Sequence, residues 1–181
     1  MLRSFIALSG LKPLGEKLSG LGELHLGDPI GSVGVLIEYV GGRIQREVLP
    51  DRVTKAHPEL KDRADAVSDQ VKQLRDVSES LLREHGREII RRGYQHKRLA
   101  DSLADIYAQI AVLSRVSSIF EDQGVEPSGQ ERYIAETFCT RAADRVRGRF
   151  DQIEHNDDER MSAIAKLAYK RGEYGYALFE D

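Results

Sequence analysis

The most constraining feature of this chain is a helical seam between Leu99 and Phe120. Leu99, Leu103, Ile106, Ile110, Leu113, Ser117 and Phe120 follow one another at steps of 4-3-4-3-4-3, a spacing that lines one side of an α-helix. Ala100, Ala104, Ala108 and Ala111 lie beside the line and leave room for a neighbouring helix. The same rhythm recurs in Leu60, Ala64, Val67, Val71, Leu74, Ser78 and Leu81. A third line is Ile134, Phe138, Ala142, Val146, Phe150 and Ile153. Three such seams joined by short turns predict an all-α fold, an antiparallel bundle of three to four long helices. Leu74, Ile106, Ile110, Leu113, Phe138 and Val146 are its expected core. No segment alternates with period two, so no sheet is expected.

The boundaries follow from punctuation. His57-Pro58-Glu59 opens one helix, with proline and an acid in its first turn, and that helix is expected to run to about Arg92. A break near Gly93 precedes the Leu99 helix. Gln123 to Gly129 and His155-Asn156-Asp157 read as turns, the first followed by a helix over about 130–153. A last helix over 158–170 is expected to turn Met161, Ile164, Leu167 and Ala168 inward. Glycine divides the chain into two textures, because nine of its 16 glycines lie between positions 10 and 42. Residues 2–9 read as a short helix ending at Gly10, residues 12–31 as a loop with brief helical turns, and Ser32 as the cap of an amphipathic helix to about Leu49. The expected division is therefore 1–50, with a glycine-rich N-terminal segment, and 51–181, the bundle.

Charge excludes one class of partner. Residues 1–50 carry five basic and five acidic side chains and the remainder 22 and 25, so neither part has the basic excess that nucleic-acid binding requires. Arg83, Arg87, Arg91, Arg92, Lys97 and Arg98 are opposed between 83 and 98 only by Glu84 and Glu88, a local balance of about +4. That stretch reads chiefly as a solvated face with pairs such as Lys97–Asp101, and secondarily as a dock for an acidic partner or anionic lipid. No apolar run reaches about 18 residues, so no spanning helix is expected. The N-terminus MLRSFIALSGL has no cleavage-type small-residue site, so no signal peptide is expected either.

Chemistry-bearing constellations are not found. No glutamate lies three residues before any of His25, His57, His85, His96 or His155, so the bundle di-iron pattern is missing and no metal site is expected. The histidines read as surface or turn residues. Gly20-Leu21-Gly22 and the Gly27–Gly34 run lack a preceding strand and the Gly-Lys-Ser/Thr ending of a phosphate loop. Cys139, the sole cysteine, reads as a buried inert thiol. Catalytic, cofactor-binding and metal residues are accordingly expected to be none. The stripe Val33, Leu36, Ile37, Val40 and Ile44 reads first as packing against the bundle and otherwise as the candidate contact surface, facing a membrane, a partner or a second copy of the chain.

The identity of the residues adds to their spacing. The run LADIYAQIAVLSRVSSI resembles the long helix in the additional C-terminal domain of very-long-chain acyl-CoA dehydrogenases. LRSFIALSGL followed by GEKLSGLG resembles the end of that family's core and the segment after it. His57-Pro58-Glu59-Leu60 and Ala135-Glu136-Thr137-Phe138-Cys139 match further blocks. The resemblance implies a helical module of a flavin-dependent fatty-acid β-oxidation enzyme, with FAD in the parent enzyme and none in this chain. It also implies a missing dehydrogenase core as partner and membrane attachment through about residues 12–48; a homodimer is a further partner the chain could form. The implied location is the cell interior or inner membrane, mitochondrial in a eukaryote. The family's catalytic carboxylate belongs to a Glu-Gly-Thr-Asn type motif expected just upstream of the helix beginning at Leu2, and the flavin-binding residues further upstream. The chain is thus expected to be a fragment without them. The alternative is a self-standing helical adaptor for protein binding. The uncapped apolar start Leu2, Phe5, Ile6 and Leu8 favours a helix cut from a larger core.

Overall fold

The computed structural model describes residues 2–22 and 52–172. These form five α-helices, and no strand is present among the described residues. They are α1 (Leu2–Gly22), α2 (Lys61–His85), α3 (Gly93–Gln123), α4 (Gly129–Glu154) and α5 (Asp158–Arg171). Central α3 contacts α1, α2 and α4. Long-range bonds give the directions. Gln70 meets Gln109, and the His57 backbone N–H reaches the Ser117 hydroxyl at 2.9 Å, so α2 and α3 run antiparallel. Asp105 meets Arg145 and Gln95 meets the Ile153 carbonyl, so α3 and α4 run antiparallel as well.

The helix ends follow the predicted punctuation with two changes. Pro58–Leu60 is a 3-10 turn that leads into α2, and the His57 ring Nδ1 accepts the Glu59 N–H at 3.2 Å. The helix α2 stops at His85 rather than near Arg92. Gly86, at φ 50°, takes a backbone conformation that other residues resist, and a second 3-10 stretch runs from Gly86 to Arg91. The other change is in α1, which does not end at Gly10 but continues through Gly10 and Pro13 to Gly22, where a loop was expected. Propensity alone disfavours such a helix. Burial of Ala7 and Leu11 in a cluster with Leu81, Ile89, Leu99 and Ile153 supplies what propensity lacks.

Two apolar clusters make the core. The larger joins Leu60, Ala64, Val67, Ile106, Leu113, Val116, Phe120, Ala135, Cys139 and Val146, and the smaller is the α1 cluster just named. Ile106, Leu113 and Val146 are buried as expected, while Leu74, Ile110 and Phe138 are half-buried against the core. The buried surface of α3 is broader than the line. Leu99, Ile106, Leu113, Ser117 and Phe120 are buried as expected, His96, Ala100, Ser102, Gln109 and Val116 are buried beside them, and Leu103 is 41% exposed. On α4, Ala135 and Cys139 are buried where Ile134 and Phe138 were expected, and Ile134 is exposed. Small side chains let α4 approach α3 closely and push their larger neighbours to the rim. The inward assignment for α5 also fails: that helix has no buried residue, and Met161, Ile164 and Leu167 are exposed.

By length and composition α3 could cross a membrane, contrary to the expectation from apolar run length. Its position against three other helices accounts for that composition as a bundle core.

Candidate functional site

The charged chemistry of the molecule is concentrated along one flank of α3. Asp105 receives Arg145 Nη2 at 2.6 Å and Arg149 Nη1 at 2.6 Å, both from α4. Burial works to raise its pKa, but the hydrogen bonds from Arg145 and Arg149 outweigh it and hold the carboxyl below the usual aspartate range. One turn earlier Asp101 takes Arg3 Nε from α1 at 2.6 Å and Lys97 Nζ at 3.0 Å, the latter being the pair expected from spacing. Here too burial opposes and the two donors prevail, leaving the pKa lowered. Arg98 makes two bonds to Asp158, of 2.6 and 2.7 Å, which fasten α5 to α3. The three carboxylates of this row, Asp101, Asp105 and Asp158, are therefore all engaged in pairing helices.

Three of the clefts around α3 differ in their lining. One of about 520 Å³ is lined by Leu81, Glu84, His85, Arg92, Glu154 and Asp157, among others. A second of about 530 Å³ is lined by Tyr94, Lys97, Arg98, Arg145, Arg149 and Gln152. Its cations are the ones that bond Asp101, Asp105 and Asp158. The third, about 270 Å³ and mostly apolar, lies between α1, α2 and α3 against Ile6, Leu11, Leu14, Leu74, Leu99 and Leu103. Among the described residues no three His, Cys, Asp or Glu side chains converge in a way that could hold a metal ion.

Cys139 lies in the core as expected, and burial pushes its thiol pKa up, with a smaller opposing effect of Arg63. The surface-or-turn reading of the histidines fails at His96, which is 1% exposed and whose Nε2 has no hydrogen-bond partner among the described residues. It lies three residues before Leu99, on the buried side of α3. That spacing is the signal by which the sequence could have shown it. The contact stripe Val33, Leu36, Ile37, Val40 and Ile44 lies outside the described residues. The exposed large apolar residues that are described lie elsewhere: Leu2 and Phe5 on α1, Ile90 before α3, Tyr94, Leu103 and Tyr107 on α3, Tyr133 and Ile134 on α4, and the α5 group.

Residues 58–174 match the family described as ACAD9/ACADV, C-terminal domain. The chain belongs to this family. Its match takes in α2 to α5 and therefore the whole of the paired charge row on α3 and α4. Among curated proteins the chain is 33% identical to the very long-chain specific acyl-CoA dehydrogenase, mitochondrial, of Homo sapiens, over 95% of its own length and 27% of the relative's. It is 31% identical to the same enzyme of Macaca fascicularis over the same shares. With the Mus musculus enzyme the identity is 32% over 81% of this chain and 23% of the relative. The chain thus spans only about a quarter of the length of the curated relatives it matches. Residues 58–174 are thus the helical C-terminal domain of this family.

Proposed function

We propose that this module serves a flavin-dependent acyl-CoA dehydrogenase of fatty-acid β-oxidation by seating its catalytic core, and that in a eukaryote it does so in the mitochondrion. The observation that carries the proposal is the two-sided helix α1. Ala7 and Leu11 bury one side of it in the bundle, while Leu2 and Phe5 stand exposed on the other. A helix with apolar side chains on both sides is suited to being covered on both. The division at about residue 50 belongs to the same reading, with residues 1–50 joining core to bundle.

FAD, which the family implies for the parent enzyme, does not fit the clefts described above. A flavin needs an apolar slot for its ring system and donors or cations for its pyrophosphate. The cleft beside α5 sets five acids, Glu84, Glu154, Asp157, Asp158 and Glu159, against the two cations Arg92 and Arg160, a balance unsuited to a pyrophosphate, and the cationic cleft has its charges already paired. Purified protein is therefore expected to show no flavin absorbance band and no oxidation of an acyl-CoA with an artificial electron acceptor. Either signal would overturn the non-catalytic reading.

The stripe Val33, Leu36, Ile37, Val40 and Ile44 is proposed as the membrane-contact part of the module, supported by its apolar side chains within glycine-rich flanks. The double substitution Leu36→Asp/Val40→Asp is expected to abolish flotation with anionic liposomes while leaving the helical circular-dichroism signal intact. Unchanged flotation would remove the stripe from consideration.

A further inference from the structure

A further cleft, of about 760 Å³, opens between the start of α3 and the helix α5. Arg91, Arg92 and Lys97 line it on one side and Lys166 on the other, together with the acids Asp158 and Glu159. Some of these charges are already engaged, since Lys97 bonds Asp101 and Asp158 bonds Arg98. Arg91 reaches Glu88 only at 3.9 Å, and both side chains are largely exposed. Arg92, Lys166 and Glu159 make no ion pair among the described residues. The uncommitted charge is therefore cationic, Arg91, Arg92 and Lys166 against Glu159 alone. The backbone adds to it. Arg92, the N-cap of α3, makes no side-chain cap bond, so the first N–H groups of this long helix are left for another acceptor. Gly93 keeps them bare, because no atom lies within 4 Å of where a Cβ would stand.

We propose that this cleft binds the diphosphate group of a small molecule, with Arg91, Arg92 and Lys166 as counter-charges. Free cations on both walls of a cleft suit an anion with two charged groups rather than one. A guanidinium offers a phosphoryl group two parallel donors, and Lys166 offers a point charge from the facing helix. The concave shape favours a small molecule over a flat bilayer surface. The apolar part of the lining, Gly93, Tyr94 and Ala163, offers no slot for a flavin ring system. It does offer the ring of Tyr94, 43% exposed, on which a single base can stack. The diphosphate can thus come as the inorganic anion or within a nucleoside diphosphate. The proposal is independent of how α1 meets a catalytic core and of what the stripe from Val33 to Ile44 contacts.

Titration calorimetry of the whole chain with pyrophosphate and with adenosine diphosphate tests it, at about 0.15 M salt, where loose surface attraction is screened. Saturable binding of both anions is expected. Arg92→Gln and Lys166→Gln should each weaken it at least about fivefold, and the two together at least about tenfold. Arg87→Gln is the control for net charge: it removes an exposed cation of the same basic stretch that does not line the cleft, and it should leave the affinity unchanged. All four positions are exposed, and circular dichroism of each variant establishes that the fold is kept. Tighter binding of adenosine diphosphate, falling to the pyrophosphate value in Tyr94→Ala, supports the proposal and identifies the source as a nucleoside diphosphate. Equal affinity for the two supports it with the inorganic anion as the source. Absence of binding at millimolar concentrations overturns the proposal. So does binding indifferent to Arg92→Gln and Lys166→Gln, and so does a loss in Arg87→Gln as large as theirs.

Discussion

Replacing Leu113 by alanine is expected to lower the stability of the bundle by about 2–5 kcal/mol, the range for truncating a fully buried leucine. Leu113 is 1% exposed and lies where α2, α3 and α4 converge, among Leu60, Val67, Ile106, Phe120, Cys139 and Val146. The removed methyl groups leave a space whose walls belong to three different helices, and a gap held open from three sides relaxes poorly. Leu103→Ala supplies the contrast. Leu103 belongs to the same predicted seam but is 41% exposed, so its truncation is expected to cost less than about 1 kcal/mol. Urea unfolding of the two variants and the parent separates the cases, provided the denaturant slope stays constant. Equal losses at the two positions would mean that α3 is rotated about its axis from the orientation described.

That contrast also marks how far the sequence could be read. The existence, order and direction of the long helices were legible, because seams of six or seven positions on three segments leave few alternatives. The rotation of each helix about its axis was not. A helix with one neighbour buries a single line, whereas α3 has three neighbours and buries a broad arc. Within that arc the depth of a side chain depends on which neighbour comes closest, and the closest approach is set by small residues. Ala135 and Cys139 bring α4 near and displace Ile134 outward; Ser102 displaces Leu103 in the same way. A pattern search that counts only large apolar residues passes over all three. The course of α1 past Gly10 and Pro13 was illegible for another reason, since what holds it is tertiary contact with Leu81 and Leu99, distant in sequence. The paired charges were half legible: Lys97–Asp101 follows from spacing along one helix, but Asp105 with Arg145 and Arg149 requires the register of α3 on α4. At α5 the spacing marks an apolar line correctly and says nothing of what covers it.

The sharpest case of a missed position is a pair of amides inside the bundle. Gln109 is fully buried and Gln70 nearly so. Gln109 Nε2 donates to Gln70 Oε1 at 2.8 Å, and Gln70 Nε2 donates back to Gln109 Oε1 at 3.3 Å. Each lies three residues after a buried apolar side chain, Val67 or Ile106, so the 3-4 spacing was present in the sequence on both helices. Gln109→Leu alone is expected to destabilise the protein by about 1–3 kcal/mol, because it strands the Gln70 amide away from water. Gln70→Leu/Gln109→Leu together should recover most of that loss, since two leucines of similar size leave no orphaned group. The sign of the interaction is what matters: a double-mutant cycle should give a coupling of about 1 kcal/mol or more. The recovered variant should still lose something the wild type has. A shift of α2 along α3 by one turn would bury a lone amide against apolar side chains in the native sequence, and the double variant no longer carries that penalty. Its amide protection from hydrogen exchange along α2 is therefore expected to fall even where its urea midpoint does not. Additive losses in the cycle would show that the two glutamines do not act as a pair.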